Sequence, residues 1–188
     1  MIELLRRLLV VRGLSCKGVT LIELVVTMAV FSIVLGIAAF SFKDVLWRNQ
    51  VNVAVDEFVT TLNFARSEAV TRGQVVTACR SLNAASADNP ATPVPSCDTI
   101  GGTGWETGYI VFVDADGDGL RDLNEEMLRV GTGPGGGVTM AGNSPIRYAA
   151  TGFSPVAVGG TVTVANASKT LYVILSNNGR VRTGTEEP

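Results

Sequence analysis

Asp114, Asp116 and Asp118 alternate along five residues, Gly119 follows, and Asp122 and Glu125 complete a D-x-D-x-D-G pattern with a distal glutamate. Oxygen ligands at alternate positions, with a glycine at the sharp turn, suit a seven-coordinate hard cation, so calcium is the cofactor these residues would take. The flanks point the other way. Strands rather than helices are expected on both sides, and Arg121 stands at a position that is usually apolar. A polar hairpin loop whose aspartates cap their own backbone explains the same residues. A second set is cationic: Gly179-Arg180-Val181-Arg182 places two arginines at alternate positions. Alternate residues of a strand face one side, so the two guanidinium groups point together and can clamp successive phosphates of duplex DNA. Lys169 and Arg147 extend the patch if folding brings them near. Arginines protecting an edge strand are the alternative, and Glu186 and Glu187 lie close behind.

The chain of 188 residues contains no histidine. That excludes Ser-His-Asp and Cys-His catalysis and every His-ligated zinc or iron site. No glycine-rich loop precedes a helix to cradle phosphate, and the carboxylates cluster in one loop, so no enzyme is expected. The remaining chemistry must be binding or assembly, and it depends on how the elements are placed.

Charged residues make up only 17% of the chain and mean hydropathy is +0.31, too apolar for an ordinary soluble domain. One segment carries the excess. Residues 24–42 hold no charge, and as helix they span roughly 28 Å, close to the hydrocarbon core of a bilayer. A buried soluble helix is the bland alternative. Arg6, Arg7, Arg12 and Lys17 precede the run against a single Glu3, while Lys43 and Asp44 cancel after it. The basic side is therefore N-terminal and cytoplasmic, and the bulk of the chain is exported. Of three cysteines, Cys16 lies in the basic leader, leaving Cys79 and Cys97 as a pair in the exported part. An oxidising compartment joins them in a loop worth about 3 kcal/mol, with two free thiols as the alternative.

A secretory signal cut after the apolar run would also fit such an N-terminus. Against it, Glu23 sits inside the apolar stretch, where a charge costs about 2.5–3.5 kcal/mol unless partnered. Lys17-Gly18-Val19-Thr20-Leu21-Ile22-Glu23-Leu24 resembles the class III signal of type IV pilins and type II secretion pseudopilins. The resemblance implies that a prepilin peptidase cuts between Gly18 and Val19 and that Val19, where the family usually has phenylalanine, is then methylated. It also implies that Glu23 meets the N-terminus of a neighbouring subunit in a filament. A tolerated glutamate that snorkels to the interface is the alternative.

From 44 to 72 the residues Trp47, Val51, Ala54, Phe58, Leu62, Ala65 and Ala69 recur at spacings of three and four, one face of an amphipathic helix that Gly73 ends. Beyond it, short strands are expected over 74–80, 108–114, 126–130, 146–149, 161–165 and 171–176. Asn177-Asn178-Gly179 makes a hairpin to 180–183. Residues 81–104 read as a loop. The chain thus divides into a leader over 1–18, a transmembrane and assembly helix over 19–43, a stalk helix over 44–73 and an exported β-rich domain over 74–188. The expected class is α+β, with a long N-terminal helix packed on an antiparallel sheet domain, as in pilins.

Gly104-Trp105-Glu106-Thr107-Gly108-Tyr109-Ile110-Val111-Phe112-Val113-Asp114, with Leu128-Arg129-Val130 and Ala65-Arg66-Ser67-Glu68-Ala69, resembles the GspH/FimT branch of these proteins. That branch comprises minor, tip-type subunits of a type IV pilus or of the type II secretion pseudopilus. The Gly179–Arg182 element is similar to the one through which FimT-type pilins hold DNA during natural transformation. Prepilin peptidase, other pilin subunits, the inner membrane and duplex DNA are the implied partners. A structural pseudopilus subunit without DNA binding is the alternative. Removing 1–18 takes four basic groups and one acid from totals of 15 and 17, leaving a net charge of −5.

Overall fold

The computed structural model describes residues 18–84, 94–98, 104–154 and 160–187, the side chains of 37–41 excepted. The leader up to residue 17 and most of the expected 81–104 loop lie outside the described residues. The chain forms two compact units, Met1–Phe42 and Lys43–Pro188, with helix α1 (Leu21–Arg72) contributing to both.

In the first unit Thr20 caps α1, its hydroxyl accepting the Glu23 N–H at 3.3 Å. Every described side chain from there to Gly36 is exposed. Thr27 and Ser32 donate their hydroxyls to the carbonyls of Leu24 (2.9 Å) and Met28 (2.8 Å), so the helix satisfies its own polar groups. Among the described residues no helix is long and apolar enough to cross a membrane. The expected span, 24–42, includes 37–41, whose side chains lie outside the description.

In the second unit α1 buries Val51, Ala54, Phe58, Leu62, Ala65 and Ala69 of the stripe expected from the spacing, and Val55 besides, while Trp47 at its start is only half-buried. Gly73 ends the helix with φ +65°, and the Gln74 N–H reaches back to the Ala69 carbonyl at 3.3 Å, a Schellman closure.

Two antiparallel four-stranded sheets follow. The first has the order β3 (Met127–Gly131), β2 (Tyr109–Val113), β1 (Val76–Arg80), β5 (Ile146–Tyr148). The second has the order β4 (Thr139–Gly142), β6 (Gly160–Ala165), β7 (Thr170–Leu175), β8 (Val181–Gly184). Strand β4 was not expected. It lies in glycine-rich sequence that reads as loop and is fixed by pairing with β6, from Thr139 opposite Ala165 to Gly142 opposite Val162. One hydrophobic cluster joins the helix stripe to both sheets through residues such as Val76, Val111, Tyr148, Val164 and Val173. Alternation sends Cys79, Ile110 and Phe112 to the other face of the first sheet, where they form a second cluster with Cys97, Met127 and Val130.

Phe58 organises the main core. Its ring meets Trp105 edge-on at 4.9 Å and Tyr109 at 6.2 Å. The Tyr109 hydroxyl donates to Glu57 Oε1 at 3.1 Å and shares a hydrogen bond with Thr61 at 3.0 Å. Burial pushes the Tyr109 phenol pKa up, against the lowering effect of the Thr61 hydrogen bond, which keeps the group neutral at physiological pH.

Arg66 fastens the helix to two turns at once. Its Nε donates to the Gly152 carbonyl at 2.9 Å, and its Nη2 to the Asn178 carbonyl at 3.0 Å. The second of these is in the β7–β8 turn, which closes through the Gly179 N–H to the Ser176 carbonyl at 2.8 Å. Gly179 has φ +76°, and a Cβ there would stand 2.0 Å from the Gly152 carbonyl oxygen.

Two stability outcomes follow from this packing, both read by urea denaturation of the full chain in detergent. Phe58→Ala leaves a cavity between helix and sheets and lowers stability by about 3–5 kcal/mol. Gly179→Ala combines a left-handed backbone with a backbone collision and costs at least about 2 kcal/mol. Gly137→Ala is its control, with φ +72° and nothing within 4 Å of the new Cβ. It loses only the conformational part, about 1 kcal/mol. Equal losses at the two glycines would refute the close approach.

Candidate functional site

Three groups of side chains carry the chemistry anticipated from the sequence. At the head of α1, Val19 is 72% exposed, and among the described residues nothing lies within 4 Å of a Cβ built on Gly18. Glu23 occupies the first helical turn. Thr20 takes the Glu23 backbone N–H, and the carboxylate has no ion-pair partner among the described residues. A carboxylate in the first turn is favoured by the helix dipole, yet this one is surrounded by exposed Leu21, Ile22 and Leu24.

The basic pair lies at the β7–β8 turn. Arg180 precedes β8, its carbonyl accepting the Ser176 N–H at 3.0 Å, and Arg182 pairs in register with Ile174. Val181 between them packs against the core, and both arginines are exposed. β8 is the edge of its sheet. The extension of this patch to Lys169 and Arg147 is not formed. Lys169 lies at the other end of β7, about 20 Å along the strand, with Nζ donating to Asn52 Oδ1 at 2.5 Å. Arg147 belongs to the other sheet and donates to the Gly117 carbonyl.

Every other basic side chain of Lys43–Pro188 is engaged. Lys43 and Arg129 lie over the rings of Trp47 and Phe64, and Arg48 pairs with Asp44 at 2.9 Å. Arg72 pairs with Glu68 and Glu126, both at 2.7 Å, and those two hydrogen bonds raise its pKa. Arg66, Arg121 and Arg147 hold backbone carbonyls, Lys169 holds Asn52, and Arg80 also has a partner. Among the described residues only the guanidinium groups of Arg180 and Arg182 are left without one.

The acidic loop joins β2 to β3. Asp114, 1% exposed, accepts the Thr77 hydroxyl at 2.6 Å and the Gly119 N–H at 3.1 Å, both on Oδ2. Asp116 and Asp118 are exposed, and each accepts a backbone N–H two residues on, from Asp118 and Leu120. One carboxylate oxygen from each of Asp114, Asp116 and Asp118 lies within 4.8 Å of the others.

The remaining two expected ligands are not in this cluster. Glu125 is a latch, its Oε1 accepting the Ala115 N–H at 2.7 Å and its Oε2 the Asp122 N–H at 3.0 Å, while Asp122 is exposed and apart. Arg121 bridges the carbonyls of Pro95 and Glu125 at 3.0 and 3.3 Å, a role the sequence did not announce. The segment it holds contains Cys97, joined to Cys79 by a disulfide across 18 residues. The free-thiol alternative is thereby excluded.

The family described as type II transport protein GspH matches residues 54–179, and the prokaryotic N-terminal methylation motif matches residues 14–39. No curated protein matches the chain. Among solved structures, the type IV minor pilin FimU of Pseudomonas aeruginosa is 18% identical, with a TM-score of 0.54 over 73% of this chain and 90% of its own. The minor pseudopilin EpsH from the type 2 secretion system of Vibrio cholerae is 10% identical, with a TM-score of 0.47 over 72% of this chain and 97% of its own. The FimU likeness shows a shared pilin fold, a long N-terminal helix with antiparallel sheets. With the family match covering most of the chain, this protein belongs to the GspH family of pilin-like subunits and carries their N-terminal methylation motif.

Proposed function

We propose that the protein is a minor, membrane-anchored subunit that prepilin peptidase cleaves between Gly18 and Val19 and methylates at Val19. It then assembles through its N-terminal helix into the tip of a type IV pilus or a type II secretion pseudopilus. The observation that carries this reading is the surface of α1 from Leu21 to Gly36, exposed throughout and apolar, with one unpaired carboxylate at its head. Such a surface is stable only against lipid or the helices of neighbouring subunits, and only there does Glu23 find a cation, the methylated amino group of an adjacent Val19. The N-terminus stays cytoplasmic, and the domain from residue 74 onward lies in the periplasm, consistent with its disulfide.

For the same reading, Arg180 and Arg182 form a contact for duplex DNA during uptake. Their support is that, among the described residues, both guanidinium groups lack a partner while the other cations are engaged. The second reading, a purely structural pseudopilus subunit, is favoured by the family match, whose description is of type II transport.

Glu23→Ala is expected to leave cleavage intact and to block incorporation into filaments, as read by immunoblotting of sheared filaments against the membrane fraction. Normal incorporation of that variant would refute the assembly role. Arg180→Ala combined with Arg182→Ala is expected to weaken binding of the detergent-solubilised chain to duplex DNA about tenfold at low salt, measured by fluorescence anisotropy. The salt slope should fall by about 2. Unchanged binding assigns the protein to the structural reading.

A further inference from the structure

We propose that Asp114, Asp116 and Asp118 form a binding site for one hard divalent cation of the calcium class. A group of acidic side chains alone does not make a site, since exposed carboxylates often cluster without an ion. The distinguishing feature here is Asp114. It is 1% exposed, and while its Oδ2 takes the Thr77 hydroxyl and the Gly119 N–H, its Oδ1 is buried with no hydrogen-bond partner. A buried carboxylate oxygen without a donor is a standing penalty. The carboxylates of Asp116 and Asp118 stand close to that of Asp114 and bring only further negative charge.

Among the described residues no lysine or arginine forms a salt bridge with Asp114, Asp116 or Asp118. Arg147, the nearby cation, donates instead to the Gly117 carbonyl. A bound cation answers both deficits at once, supplying a partner for Asp114 Oδ1 and charge for the cluster.

The donors define the class of ion. All three are carboxylate oxygens, Cys79 and Cys97 are held in a disulfide, and the chain has no histidine, so nothing here favours a thiophilic or imidazole-seeking metal. Two oxygens on one calcium, each at about 2.3–2.6 Å, stand up to about 5 Å apart. The observed grouping within 4.8 Å is close to what one such ion requires. Glu125 is excluded from the set because both of its oxygens already hold backbone N–H groups. With three protein carboxylates rather than the fuller ligand set of a helix–loop–helix site, affinity belongs in the weak range of extracellular modules, about 0.1–1 mM.

The consequence is mechanical. Asp114 ends β2 and is bonded to Thr77 of β1, so an ion there fixes the β2–β3 connection to the strand that carries Cys79.

The test is isothermal titration of calcium chloride into the full chain in detergent micelles, after chelator treatment, and it does not depend on which filament the protein serves. Saturable one-to-one binding in the range above is expected. Asp116→Asn and Asp118→Asn, both exposed and so compatible with the fold, should each weaken it at least tenfold, while Glu186→Gln leaves it unchanged. Absence of saturable heat up to about 10 mM calcium in the parent chain overturns the proposal. So does wild-type affinity in both asparagine variants, or an equal loss in Glu186→Gln, which would make the binding diffuse charge attraction.

Discussion

Residues 21–36 of α1 offer water no polar face. Leu21, Ile22 and Phe31 are 83%, 68% and 68% exposed, and the hydroxyls of Thr27 and Ser32 are turned into the helix's own carbonyls. Covering each such side chain is worth about 1.5–3 kcal/mol, so over four turns the gain is large and does not depend on sequence-specific contacts. It has no direction along the helix axis, however, and would let neighbouring helices slide in register. A single charge removes that freedom. In the proposed assembly, the attraction between Glu23 and a neighbour's amino group would be strong in so apolar a surround and strongest in the one register in which the two groups meet. Thr20 caps the helix, while among the described residues the Glu23 carboxylate makes no reciprocal bond to the Thr20 N–H and stays available.

The same helix meets an opposite demand after Lys43, where one face must be dry and the other wet. That change was plain in the sequence because a 3.6-residue period is a local property: Val51, Ala54, Phe58, Leu62, Ala65 and Ala69 are all buried. The strands were legible for the related reason that alternation is local too, and seven of the eight fall where the pattern placed them. Trp47 departs from the stripe because it lies at its beginning, half-covered, with Lys43 over its ring and its carbonyl taking the Asn166 amide at 2.6 Å. β4 departs because its sequence, Thr139-Met140-Ala141-Gly142, has little strand character of its own. It is a strand because β6 offers it an edge and Glu106 Oε2 accepts the Met140 N–H at 2.8 Å.

Motif templates were less dependable than periodicity, and Glu125 shows why. A template records residue types at fixed spacing, but a carboxylate binds whichever donors the backbone presents to it. Here the turn after β2 presents the N–H groups of Ala115 and Asp122, and Glu125 closes onto them. Thr77, which shapes the site by holding Asp114, stands 37 residues upstream and has no place in any loop pattern. Gly179 is a similar case. Its turn was evident from Asn177-Asn178-Gly179, whereas the second reason for glycine, the Gly152 carbonyl against its Cα, belongs to a segment 27 residues earlier and to Arg66 on the helix.

Net charge gives a poor account of what this domain can hold. Residues 19–188, at −5, would repel a polyanion if their charges were evenly spread. They are not, because most of the cations are internal fasteners: Arg66, Arg121 and Arg147 hold carbonyls, and Arg72 holds two carboxylates. Removing these from the balance leaves the acidic loop and the Arg180–Arg182 pair as separate features, on connections of different sheets. Over more than a Debye length, about 8 Å at physiological salt, the acidic background is screened, and only charges beside a bound phosphate count. Two unengaged guanidinium groups on one strand edge can therefore act on a polyanion despite the sign of the whole. The same screening would make such a contact salt-sensitive.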